Sequence, residues 1–295
     1  MVSVRNTYQP IKSDNATRIL CLILTSNSNT QKMQAVNDTW AKRCDKYLFV
    51  YSNLQQTTSN EDIVLNTSVA EGRDHLTAKV RYAFEHAHKI NNGDFDWILK
   101  CDDDTYVIME NLKYLLSLVD PEIPGYLGFH MKTSSTMRNG YMSGGAGYVI
   151  NSRALHNLVT IGFQNGACKK DGGNEDEEMG LCLANSSVVV LNSVDITGKE
   201  SFHAGGLVQL LSPPHRYMAR WIEWYSWNKR PLYGHECCSQ YSVAFHYVTP
   251  TEQYLFEHLL YHTSIYRHTK GGNSTHADNL DKNPMFYPHV VKSLQ

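Results

Sequence analysis

Apolar positions along the chain fall into short unbroken runs separated by stretches with helical spacing. Arg18 to Thr25 reads RILCLILT and stops at a polar Ser-Asn-Ser, the form of a strand buried on both faces and followed by a loop. Gln31 to Cys44 carries Met33, Val36 and Trp40 on one helical face, and Lys46 to Tyr51 (KYLFVY) is a second buried strand. Residues 55–62 are polar and loop-like, and Ile63 to Val69 has strand composition. Glu71 to Ile90 gives the clearest amphipathic helix, with Leu76, Val80, Ala83, Phe84 and Ala87 at steps of three and four. Asp96 to Cys101 (DWILKC) is another buried strand, acids follow at once, and Met109 to Val119 is helical. Strand–helix alternation of this kind predicts an α/β fold whose sheet is largely parallel and covered by helices on both faces.

After about residue 125 the punctuation changes, with glycines at 140, 144, 145 and 147. Tyr148 to Ile150 reads as a short strand and Ser152 to Ile161 as a helix. A polar, Gly-rich loop over residues 165–174 leads into a helix from Glu175 to Leu183, whose acids fall in the first turn, where the helix dipole favours them. Residues 213–262 are rich in Trp and Tyr. No linker divides the chain. The expected organisation is a flexible lead-in over 1–17, one large domain over 18–268 and a polar, disordered tail over 269–295.

Composition narrows the function classes. Lys plus Arg number 27 against 29 Asp plus Glu, which argues against nucleic acid as the main partner, because phosphate binding wants a basic excess. The longest apolar run, Ile19 to Leu24, falls far short of the roughly 18 residues a membrane helix needs. No signal peptide is visible, so the chain reads as soluble or as anchored from outside these residues. Seven cysteines leave at least one thiol unpaired within the chain. With five Asn-x-Ser/Thr sequons, at Asn15, Asn37, Asn66, Asn185 and Asn273, they lean toward an oxidising secretory lumen; a cytosolic protein with buried thiols is the alternative.

Three constellations carry candidate chemistry. Asp102-Asp103-Asp104 follows a buried strand directly, at the sheet end where open α/β folds bind ligands. Three adjacent carboxylates repel unless a cation or solvent offsets them, and hard divalent cations take oxygen ligands; a solvated acidic turn is the plain alternative. Glu175-Asp176-Glu177-Glu178 follows Gly172-Gly173, and one carboxylate at such a loop–helix junction suits a general base, the others being first-turn acids. His246 lies in the apolar stretch Val243 to Val248, where it is a metal ligand or a hydrogen-bonded core histidine.

The motifs WILKCDDDTYV, EGRDHLTAKV, GYMSGGAGYVI, NEDEEMGLCL, GKESFH and CCSQYSVAFHYV, in this order, resemble glycosyltransferase family 31, in its core 1 β1,3-galactosyltransferase branch. The resemblance runs from about Arg18 to Arg267. It implies a GT-A-type single α/β domain with a Rossmann-like central sheet flanked by helices, Mn²⁺ as cofactor and UDP-galactose as donor. The implied reaction transfers galactose, with inversion, to the 3-hydroxyl of GalNAc on Ser or Thr of a glycoprotein. Asp102 and Asp104 then form the DxD, Asp104 and His246 ligate the metal with Asp102 facing both metal and nucleotide sugar, and Asp176 is the base. Thr25, Arg73, Asp74, Lys79 and Asp103 are the expected donor contacts, with Gly144 and Gly145 letting backbone approach the donor sugar. Tyr141 and Trp224 are acceptor candidates. The resemblance also implies Golgi residence through an N-terminal anchor absent from this chain, and is compatible with a homodimer. Cys21–Cys44 and Cys168–Cys182 are expected disulfides, Cys237–Cys238 is a vicinal bridge or pairs elsewhere, and Cys101 is the candidate free thiol.

The chain departs from the family in places. Ile222-Glu223-Trp224 stands where the family has Trp-Tyr-Trp, and the segment between Gly128 and Gly140 is longer than usual. A non-catalytic relative acting as a chaperone or sugar-binding module, and a β1,3-transferase for another sugar, are the competing readings; the intact acids and histidine favour catalysis. A two-carboxylate glycosidase has no use for the acidic triplet.

Overall fold

The computed structural model describes residues 16–54, 61–132, 139–166, 168–212, 218–228 and 233–264. The expected tail and nearly all of the expected lead-in lie outside them; Thr17, at the lead-in's end, is already buried. The elements follow in the order β1 (Ile19–Leu24), α1 (Thr30–Asp38), β2 (Lys46–Ser52), β3 (Val64–Thr67), α2 (Leu76–Ile90), β4 (Trp97–Asp102), β5 (Tyr106–Val107), α3 (Met109–Ser117), β6 (Gly125–Gly128), β7 (His130–Met131), β8 (Tyr141–Met142), β9 (Tyr148–Asn151), α4 (Ser152–Asn157), α5 (Glu175–Asn185), β10 (Val189–Val190), β11 (Phe202–His203), α6 (Leu207–Leu211), α7 (Met218–Tyr225), β12 (Ala244–Phe245) and α8 (Pro250–Glu257).

A seven-stranded sheet, ordered β10-β6-β9-β4-β1-β2-β3, is the centre of an α/β fold. It is mixed rather than wholly parallel, because β9 runs antiparallel to both β4 and β6. The unbroken apolar run of β1 has a simple cause. Ile19, Cys21 and Ile23 pack with Val36, Trp40 and Leu112 in one core layer, while Leu20, Leu22 and Leu24 pack with Val80, Phe84 and Leu183 in the other. Neither face meets water, so no position in the strand tolerates a polar residue, and each such side chain contributes roughly 1.5–3 kcal/mol of burial.

Two helices differ from their sequence spans for local reasons. The stretch read as one helix from Gln31 to Cys44 breaks at Thr39 (φ −110°, ψ −112°) and resumes as a 3₁₀ turn, Trp40–Arg43, which brings Cys44 onto Cys21. The helix read from Glu71 begins only at Leu76, because Gly72 takes φ +131° and Arg73–His75 forms a 3₁₀ turn. The remaining disulfides are Cys168–Cys182 and Cys237–Cys238, and Cys101 is free and buried. Of the sequon asparagines, Asn185 is exposed, Asn37 and Asn66 are engaged in side-chain hydrogen bonds, and Asn15 and Asn273 lie outside the described residues. No helix among the described residues is long and apolar enough to cross a membrane.

A smaller sheet, β11-β12-β5, delivers the C-terminal motif to the acidic triplet. β12 pairs antiparallel with β5, just beyond the triplet. The backbone N–H of Val248 donates to Asp104 O at 2.8 Å and that of His246 to His203 O at 3.1 Å, so residues 245–248 lie along the end of β4.

Candidate active site

The acidic triplet caps β4, and its three carboxylates do different things. The N–H of Asp103 donates to Leu24 O at 3.0 Å, which pins the turn to the neighbouring strand. The Asp103 side chain then points inward, accepting from Thr25 Oγ1 at 2.7 Å. Burial pushes its carboxyl up to about 6, against the opposing hydrogen bonds from Thr25 and Asn29. Asp104 faces the cleft, 3.3 Å from His246 Nε2 and 3.0 Å from Lys32 Nζ. Burial opposes its ionisation, but hydrogen bonding and charge from His246 and Lys32 outweigh that and hold it at about 2. One ligand atom from each of Asp102, Asp104 and His246 lies within 4.8 Å of the other two. Two carboxylate oxygens and an imidazole nitrogen, converging on one point, suit a divalent cation of the Mg²⁺/Mn²⁺ type.

The backbone around His246 is shaped for that convergence. Tyr247 takes φ +54°, a left-handed conformation a bulky residue rarely adopts, and its ring stacks on the His246 imidazole with centroids 3.7 Å apart. The other face of the imidazole meets Gly145. A Cβ built there would overlap Cε1, Nε2 and Nδ1 of the His246 ring. Gly144 and Gly145, expected to let backbone approach a donor sugar, are also closely approached by side chains of the protein. Gly145 makes room for His246, and a Cβ on Gly144 would lie 2.9 Å from Glu175 Oε2 and 3.1 Å from Lys100 Nζ.

The acidic run at the start of α5 is sorted by its partners. Glu175 is buried, accepting from Tyr148 OH at 2.7 Å and pairing with Lys100 at 3.0 Å. Glu177 is bonded to Asn174 and Glu178 to Lys169. Asp176 lines the cleft and is fixed by two backbone donors, Gly144 N–H at 3.0 Å and Glu177 N–H at 3.0 Å.

The cleft these groups share has a volume of about 550 Å³. Of the expected donor contacts, Thr25, Arg73, Lys79, Asp102, Asp103, Gly144 and Gly145 all line it, whereas Asp74 does not. Thr25 spends its hydroxyl on Asp103. Lys79 is buried; its Nζ donates to Thr25 O at 2.6 Å and lies 3.7 Å from Glu71. Arg73 and Lys32 line the cleft as well, Lys32 paired with Asp104 at 3.0 Å. Tyr141 lines the cleft, but Trp224 does not: it stands on α7 with 80% of its surface exposed, because Ile222 occupies the inward face of that helix. The sequence motifs do not mark Lys32, Lys100 or Tyr247 as members of the site, and they mark Glu175 only as a first-turn acid. Lys100 did carry a signal, since a lysine inside the apolar run WILKC has to find a buried counter-charge.

The Fringe-like family model matches residues 17–248. A glycoprotein-N-acetylgalactosamine 3-beta-galactosyltransferase 1 of Xenopus laevis is 34% identical over 276 residues, spanning 91% of this chain and 73% of that protein. A beta-1,3-glucosyltransferase of Mus musculus is 24% identical over 167 residues, 56% of this chain and 32% of that one. Among solved structures, a Drosophila beta1,4-galactosyltransferase 7 mutant in complex with manganese, UDP-Gal and xylobiose shares 16% identity at a TM-score of 0.36, covering 59% of this chain and 64% of its own. A glycosyltransferase involved in the glycosylation of the major capsid of PBCV-1 shares 12% at a TM-score of 0.41, covering 82% of this chain and all of its own. The family match takes in every motif that builds the cleft, from the end of β1 to His246, and on that match and the 34% identity the chain belongs to the Fringe-like family of glycosyltransferases.

Proposed function

We propose that this protein transfers galactose from UDP-galactose to the 3-hydroxyl of GalNAc on Ser or Thr of a glycoprotein, with inversion, in a GT-A-type domain over residues 18–268. The observation that carries the reading is the convergence of Asp102, Asp104 and His246 in the cleft that Asp176 also lines. Those three residues would hold Mn²⁺, which when bound neutralises the charge developing on the departing diphosphate. Arg73 and Lys32 add fixed positive charge at the same mouth. Asp176, held by two N–H donors, takes the proton of the acceptor hydroxyl as it attacks. One in-line displacement inverts the anomeric centre and needs no protein nucleophile. Tyr141 is the acceptor-side contact this cleft offers, and Trp224 would reach an acceptor only beyond the sugar at the reacting position. Residence in the Golgi lumen, through an anchor outside these residues, is part of the same reading and is consistent with three disulfides.

The test is a donor screen in Mn²⁺, reading UDP release with and without a GalNAc-bearing peptide, on the parent and on Asp104→Ala. Acceptor-dependent release from UDP-galactose, lost in Asp104→Ala together with the Mn²⁺ response of UDP affinity, is expected. Release from a different UDP-sugar would overturn the donor. Tight UDP–Mn²⁺ binding with no turnover on any donor would favour the binding-module reading.

A further inference from the structure

Lys100 is the least expected charge in the molecule. It sits in the middle of β4, on a strand whose neighbours Leu99 and Cys101 are fully buried, and is itself 2% exposed. Its ammonium has three donors and three acceptors: Asp102 Oδ1 at 3.1 Å, Glu175 Oε2 at 3.0 Å and Gly144 O at 3.3 Å. The two carboxylates keep it protonated despite its burial. Each acceptor belongs to a different part of the cleft. Asp102 is the first acid of the DxD, Glu175 precedes Asp176 on α5, and Gly144 in turn donates its N–H to Asp176 Oδ2. The ring closes through side chains and backbone of three segments far apart in sequence.

Stability does not explain such an arrangement. Taking an ammonium and a carboxylate out of water costs more than apolar residues of the same volume would, and buried ion pairs replaced by apolar groups are often neutral or stabilising. What the knot does supply is geometry. With Oδ1 occupied by Lys100, the Asp102 carboxylate has a fixed orientation in the cleft it lines. With Gly144 and Glu175 held by the same ammonium, the first turn of α5 is fixed relative to β4.

We propose that Lys100 is a positioning residue, tying the metal-facing carboxylate Asp102 to the helix end that carries Asp176, so that the leaving-group side and the acceptor side of the cleft are set by one buried ammonium. The proposal rests on the reading of Asp176 as base. It predicts that breaking the tie damages both sides, whereas loosening only Glu175 damages one.

Lys100→Met alone would strand Glu175 as an unpaired buried charge, so the informative variant is Lys100→Met/Glu175→Gln, which removes both charges and keeps a partner for Tyr148. Its melting temperature is expected within a few degrees of the parent. UDP affinity in Mn²⁺ should fall at least tenfold, and kcat about 10²-fold, the loss typical of misplacing a reacting group by 1 Å. Glu175→Gln by itself should lower kcat at least tenfold while leaving the UDP–Mn²⁺ constant unchanged. A folded double variant with parental kcat and UDP–Mn²⁺ affinity would make Lys100 a structural ion pair and overturn the proposal. Should the double variant not fold, Glu175→Gln with undiminished kcat would overturn it equally. If the parent transfers no sugar to any acceptor, the base reading has failed. Calorimetry of UDP–Mn²⁺ binding still decides the Asp102 half, with unchanged affinity in the double variant refuting it.

Discussion

Gly145→Ala isolates the most local feature of the candidate metal centre. Gly145 does not occupy the left-handed region, so its backbone accepts alanine without strain. The added methyl, however, overlaps the His246 imidazole. Carbon atoms rest about 3.5–4 Å apart, so the ring has to retreat by roughly 1 Å or more. Tyr247, stacked at 3.7 Å on the ring, resists that retreat. The 3.3 Å contact of His246 Nε2 with Asp104 is lost, and with it the convergence of three ligand atoms within 4.8 Å. A 1 Å displacement of one working group costs about 10²-fold, equivalent to ~2.7 kcal/mol. Mn²⁺ affinity in saturating UDP, titrated by calorimetry, should therefore weaken about a hundredfold, with little change in melting temperature. The control is the double variant Gly145→Ala/His246→Ala. If the methyl acts only by displacing the ring, the double variant binds Mn²⁺ no worse than His246→Ala alone, because coupled changes do not add. Full additivity, or a Gly145→Ala protein with parental affinity, would refute the reasoning.

Other outcomes follow from the sorting of charges. Asp176→Asn should abolish transfer, by about 10²–10⁴-fold, with UDP–Mn²⁺ binding intact, whereas Glu178→Gln, whose carboxylate is spent on Lys169 outside the cleft, should keep most turnover; the reverse ranking in steady-state assays would move the base. Glu200 is buried, accepts from Asn228 at 3.0 Å and has Oε2 without a partner among the described residues. Burial pushes it from 4.5 up to about 7, against the Asn228 hydrogen bond. Below 4.5 both folded and unfolded chains are protonated there; between 4.5 and 7 only the folded chain keeps the proton. Its contribution to stability thus falls as pH rises through that window, by on the order of 3 kcal/mol, and is level above it. Glu200→Gln should flatten this slope, melting higher than the parent at pH 8 and alike at pH 4.5; parallel melting curves for the two proteins would remove Glu200 as the cause.

What the sequence determined by itself was everything that depends on neighbours along the chain. The run ILCLIL has one stable use, a strand covered on both faces, and the spacing of Leu76, Val80 and Phe84 has one burying face, so the central strands, α2 and the α/β architecture were legible. The acidic triplet at a strand end and the histidine of the FHYV stretch were legible as chemistry for the same reason. The direction of β9 was not, because a four-residue apolar strand pairs equally well either way until its neighbours are placed. Nor could spacing tell apart Glu175, Asp176, Glu177 and Glu178, which are equivalent first-turn acids in sequence. Lys100 of β4 claims Glu175, while Asn174 and Lys169 of the loop before α5 claim Glu177 and Glu178, and Asp176 is left facing the cleft. Gly145 gives room to a side chain 101 positions later, and Ile222 rather than Trp224 takes the inward face of α7. A buried charge or a missing Cβ is defined by whatever packs against it, and in this fold those partners come from distant strands, so only the tertiary structure could assign them.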